Sequence, residues 1–95
     1  MDEWIDFIWI FKGDGASPFP AAVFSTKEKA VKWIEKSGVS GVLMKYPLNV
    51  SLYEWAIKAG FFTPKNEMHE SGEFIQSFTC ASIVDFRFEN GVEII

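Results

Sequence analysis

The chain predicts an α+β fold: a mostly antiparallel sheet of four to five strands with two or three packed helices, in one compact domain over residues 1–95. Three observations predict it. Strand-like apolar runs lie near both ends of the chain. Two Ser-x-x-Glu stretches with capping-box spacing open helical patterns between them. Asn90-Gly91 then separates two final strand-like runs. Strands at the ends with helices between lack the βαβα alternation of a parallel sheet.

Glu3 to Phe11 (EWIDFIWIF) places Ile5, Phe7, Trp9 and Phe11 on one face, and Ile8 and Ile10 on the other. Apolar residues on both faces suit a strand covered on each side, hence central in its sheet. Lys12 to Pro18 is a loop, because Gly13, Gly15 and Pro18 break regular structure. Pro20 to Phe24 reads as a short second strand. Ser25 and Glu28 form the first capping box, and the helix should run from Thr26 to Ser37 and stop at Gly38. Ala30, Val31, Trp33 and Ile34 make its inner stripe, with Lys29, Lys32 and Lys36 outside.

Val39 to Lys45 should be the next strand, ended by Tyr46-Pro47. Ser51 and Glu54 form the second capping box, opening a helix through Ala59 that Gly60 closes. Its inner positions are Leu52, Trp55, Ala56 and Ala59. Pro64 to Gly72 is polar and reads as a surface loop. In Glu73 to Ala81, Phe74, Ile75, Phe78 and Ala81 recur at helical spacing, which favours a short helix over a strand. Ser82 to Glu89 alternates as a strand. Asn90-Gly91 supplies the two positive-φ positions of a type I′ turn, so Val92 to Ile95 should pair back.

Sixteen residues are aromatic (ten Phe, four Trp, two Tyr), against one His and one Cys. Aromatic side chains dominate cores and interfaces; His and Cys supply much of catalytic and metal chemistry. At 10.8 kDa, folding buries roughly 10,000 Å², and sixteen aromatics at about 200 Å² each fit inside that area. Aromatic abundance is therefore compatible with a Phe-rich core. The lone Cys80 has no internal disulfide partner, MDEWID lacks the basic start of a secretory signal, and the apolar run Phe7–Phe11 is too short for a bilayer. These features place the chain in the cytoplasm, with no membrane association.

The net charge of −4 is unevenly spread: −3 over residues 1–24, +4 over 25–65 and −5 over 66–95. An acidic surface repels phosphates and argues against nucleic acid as a ligand. It suits a basic protein partner.

Chemical motifs are weak. Gly13-Asp14-Gly15 follows a strand, but Pro18-Phe19-Pro20 stands where a phosphate-binding helix would start. His69-Glu70-Ser71-Gly72-Glu73 begins like a zinc HExxH motif and lacks the second His. No metal, cofactor or catalytic residue is therefore assigned. Cys80 sits in an apolar-periodic stretch, where a free Cys behaves as a small hydrophobe. Phe61 and Phe62, adjacent just past a helix end, cannot easily both be buried. An exposed aromatic beside the acidic stretch Glu67–Glu73 has the composition of an interface hot spot.

YPLNVSLYEWAIKAGFFTPK (46–65) and EFIQSFTCASIVDFRFENG (73–91), with WIFKGDG near the start, resemble a family of small bacterial proteins. Some of its members are immunity proteins encoded beside contact-dependent growth inhibition toxins. The resemblance spans nearly the whole chain and rests on caps, a hairpin and aromatics; it transfers no catalytic signature. It implies a non-catalytic immunity protein (an antitoxin) that binds and neutralises a cognate, basic, nuclease-type toxin domain by covering its active site. Glu67, Glu70, Glu73, Asp85 and Glu89 are then the charge contacts, with Phe62 as apolar anchor and Phe61 beside it. Two other expectations stay open: a small ligand-binding domain or enzyme with a pocket near His69 and Cys80, and a homodimeric structural domain.

Overall fold

The computed structural model describes residues 5–95, and the beginning of the first expected strand, Glu3-Trp4, lies outside them. The fold is α+β, and its backbone divides into two compact units. One joins Phe7–Tyr46 to Ile83–Ile95; the other comprises Pro47–Ser82 with the segment ending at Asp6.

The first unit holds the sheet. Its strands are β1 (Phe7–Gly13), β2 (Ala22–Phe24), β3 (Gly41–Pro47), β4 (Asp85–Glu89) and β5 (Val92–Ile94), in spatial order β2-β1-β3-β4-β5. β1 pairs antiparallel with β2, β3 with β4, and β4 with β5. Asp14 N–H donates to Ser40 O at 3.0 Å beyond one end of β1, and Leu48 N–H to Asp6 O at 2.7 Å beyond the other, so β1 and β3 also run antiparallel. The central place expected for β1 belongs to β3; β1 lies one position from the edge, beside β2.

Helix α1 (Lys27–Ser37) covers one face. Its N-cap is Thr26, one residue later than the expected Ser25: Thr26 Oγ1 accepts from Lys29 N–H at 3.2 Å. Gly38 ends the helix at φ 66°, in the left-handed conformation that a residue without Cβ adopts at least cost. The 3.6-residue period places Ala30 and Ile34 inward, where they meet Phe11, Leu43 and Phe88 in a closed core. All five are at most 1% exposed, and full burial of each large side chain contributes about 1.5–3 kcal/mol. Trp33 meets Phe11 edge-on at 5.5 Å.

β3 begins at Gly41 rather than Val39, because the residues before it hold the tip of the β4–β5 hairpin. Gly91 N–H donates to Val39 O at 2.8 Å and Asn90 N–H to Ser40 Oγ at 2.9 Å. Asn90 (φ 52°) and Gly91 (φ 85°) form the expected two-residue turn between paired Glu89 and Val92. Gly41 has its own requirement: a Cβ there would sit 2.2 Å from Lys12 O.

The second unit is helical. It contains α2 (Leu52–Lys58), a 3-10 turn (Glu67–Glu70) and α3 (Gly72–Gln76). The second capping box marks its helix correctly: Ser51 Oγ accepts from Glu54 N–H at 3.0 Å. The inward face differs from the expected stripe, since Tyr53 and Ala56 are buried and Ala59 is exposed. The polar stretch read as loop winds into the 3-10 turn because Asn66 Oδ1 accepts from His69 N–H at 3.0 Å. The preference for helix over Glu73–Ala81 holds only to Gln76; Phe78–Ala81 lies outside it.

Among the described residues, no helix is long and apolar enough to cross a membrane. Of the aromatics among the described residues, Phe11, Phe88 and Tyr53 are the buried ones. The expectation that nearly all could be core gives way to rings that pack together while half exposed.

Candidate functional site

The termination of α2 creates the candidate site. Gly60 N–H donates to Ile57 O at 3.1 Å, Phe61 N–H to Ala56 O at 2.8 Å, and Gly60 takes φ 84°. This is a Schellman motif, whose 6→1 and 5→2 bonds satisfy carbonyls left open at a helix end. The motif pairs the residue after its glycine with the helix's last turn, and Phe61 accordingly lies 5.4 Å from the ring of Trp55.

The two phenylalanines diverge from there. Phe62 is half-buried in a ring cluster, 5.8 Å from Tyr53, 5.7 Å from Phe74, 5.1 Å from Phe78 and 5.5 Å from His69. Phe61 remains 54% exposed. Phe62, the expected apolar anchor, packs in the ring cluster while half exposed, and Phe61 beside it presents its ring outward. Two open hollows flank the pair. One, of about 450 Å³, is lined by Phe61, Phe62, Phe74, Phe78 and Cys80 among others; the second, of about 520 Å³, includes Lys65 and His69.

The acidic residues are held by local hydrogen bonds. Ser71 Oγ donates to Met68 O at 2.7 Å and accepts from Phe74 N–H at 3.2 Å, linking the 3-10 turn to α3. Glu67, Glu70 and Glu73 lie along this linked segment, and all three are exposed. His69 stands between the first two, its Nδ1 accepting from Lys65 N–H at 3.1 Å and its ring 4.8 Å from Phe74. That bond takes up the Nδ1 lone pair a general base would use. No hydrogen bond joins His69 to Cys80 among the described residues.

The seven expected contact residues are divided between the two units. Phe61, Phe62, Glu67, Glu70 and Glu73 share the helical unit, whereas Asp85 and Glu89 stand on β4 of the sheet unit. Glu89 is also 3.9 Å from the Arg87 guanidinium. Arg87 grips Asp14 through both guanidinium nitrogens, Nη1 donating to Oδ1 at 2.7 Å and Nη2 to Oδ2. This bidentate bond holds the Asp14 carboxyl below the usual carboxylate range. The Gly13-Asp14-Gly15 loop thus has an ion-pairing role that its sequence does not reveal, because the partner lies 73 residues away.

The basic middle of the sequence is dispersed as well. Lys27 Nζ sits 3.6 Å over the Phe86 ring and Lys45 Nζ 4.6 Å over that of Phe7. Lys29 and Lys32 are exposed on α1 beside Glu28, which offsets them. The ring cluster of Tyr53, Phe62, Phe74 and Phe78 was not assigned from sequence; its signal is Phe74 and Phe78 four residues apart, opposite the aromatics of α2.

Among the described residues, no group of three or more His, Cys, Asp or Glu is arranged to hold a metal ion. A family model described as a domain of unknown function, DUF7710, matches residues 8–94. That span is nearly the whole chain, and the chain belongs to this family. No curated protein and no solved structure matches it.

Proposed function

We propose that this DUF7710 member is a protein-binding domain of the immunity type. It occupies a cognate basic toxin domain in the cytoplasm and neutralises it without chemistry of its own. One observation carries the reading: Phe61, 54% exposed, stands on a hydrogen-bonded helix end in the same unit as exposed Glu67, Glu70 and Glu73. A pre-positioned aromatic loses little conformational freedom when covered, and exposed carboxylates on the same unit speed encounter with a positively charged surface. A nuclease groove built to hold phosphates is such a surface. The resemblance of YPLNVSLYEWAIKAGFFTPK and EFIQSFTCASIVDFRFENG to immunity proteins of contact-dependent growth inhibition supports the same class.

The reading is tested by co-expressing the chain with the toxin domain encoded beside its gene. Cells should survive induction of the toxin when the intact chain is present, and should lose most of that protection with Phe61→Ala. Death at the same rate with and without the intact chain refutes the immunity function.

A further inference from the structure

We infer that the hollow beside Phe61 seats one apolar side chain carried on a lysine- or arginine-bearing polypeptide segment, a deepening that rests on the protein-binding reading above. The hollow is large enough for an aliphatic side chain, and Phe61, Phe62, Phe74 and Phe78 supply apolar walls. Those walls are fixed in advance. Phe61 is set by the Schellman bonds, and the other three rings brace one another at 5.1–6.0 Å. A preformed hollow avoids the ordering cost that weakens binding to mobile side chains.

Charge selects the occupant. From Phe61 to Ser82 the chain carries Glu67, Glu70 and Glu73 against Lys65 alone, a net −2. None of the three glutamates has an ion-pair partner among the described residues. They belong to the same segment as the hollows' linings: Glu67 and Glu70 surround His69, and Glu73 precedes Phe74. Exposed carboxylates on the segment that supplies part of the lining repel phosphates and acidic peptides and attract cationic flanks. The carboxylates stay hydrated, so they govern encounter and selectivity, while the apolar insertion supplies most of the affinity.

The test titrates three synthetic peptides into the full ¹⁵N-labelled chain at low salt: acetyl-KKLKK-amide, acetyl-KKAKK-amide and acetyl-EELEE-amide. The first should shift the amide signals of residues 60–63 and 77–81 saturably. Replacing its leucine by alanine should weaken binding by about fivefold, and the acidic peptide should give no saturable shift. Phe61→Ala should abolish the preference for leucine. E67Q/E70Q/E73Q should weaken the leucine peptide by about fivefold while leaving that preference intact. A dispersed spectrum checks that each variant is folded. The inference is overturned by equal binding of the leucine and alanine peptides, by equal binding of the acidic one, or by no saturable shift with any. Cells protected from the toxin without peptide binding overturn the hollow and leave the immunity reading standing. Saturable leucine-selective binding without protection does the reverse.

Discussion

The sheet unit seals its two innermost rings behind a helix, whereas the helical unit gathers its rings in a half-open cluster. In the sheet unit, Phe11 and Phe88 are sealed with Leu43 beneath Ala30 and Ile34 of α1. In the helical unit Tyr53 is the buried ring among the described residues, and Phe62, Phe74 and Phe78 pack while half exposed. A sealed ring contributes its transfer free energy to folding. A half-exposed ring keeps part of that free energy for a later contact. The difference concentrates the sealed core in the sheet unit and leaves the rings of the helical cluster partly uncovered.

The contrast can be broken most forcefully at Gly41. Gly41→Ala drives a methyl group to 2.2 Å from Lys12 O where β1 and β3 meet. It should cost about 3 kcal/mol or more, read as a fall of roughly 2 M in the urea midpoint. A midpoint within about 0.3 M of the parent would mean that the strands can separate freely there.

Next in size comes a matched pair. Leu43→Ala empties a fully buried site and should cost about 3 kcal/mol, whereas Phe62→Ala in the half-open cluster should cost about 1–2 kcal/mol. Equal losses in urea titrations would erase the distinction between the units.

The smallest effect sharpens the comparison through pH. Arg87 depresses the Asp14 carboxyl, so the pair's contribution is fully present above the unfolded carboxyl value near 3.9 and fades as pH falls through the lower folded value. Both groups are exposed, so the shift in Tm is small. Asp14→Asn should lower Tm slightly at neutral pH, and the gap from the parent should close under strongly acidic conditions. A gap that widens with acid would contradict the ion pair.

Legibility followed the range of the interactions. Gly38, Ser51 and Asn90-Gly91 act within a few residues of themselves, and their caps and turn were readable from sequence. Thr26 displaced Ser25 because both hydroxyls can cap and the choice depends on neighbouring packing. The bond between Asp14 and Arg87 spans most of the chain, so no local pattern announced it. The candidate site was half legible. Adjacent Phe61 and Phe62 required one ring to be more exposed, but which one depended on Tyr53, Phe74 and Phe78 arriving from other segments. Of the expected charge contacts, Glu67, Glu70 and Glu73 fall in one unit and Asp85 and Glu89 in the other, a division that follows the chain's passage between units after Ser82 and that no local pattern shows.

Met44 lies opposite Asp85 across the β3–β4 pair, although the whole stretch from Pro47 to Ser82 comes between those strands in sequence. Pairing them requires closing a long loop, which adds to the chain entropy the sheet must overcome as it forms. The same arrangement makes the stretch a cassette whose two ends are anchored on neighbouring strands.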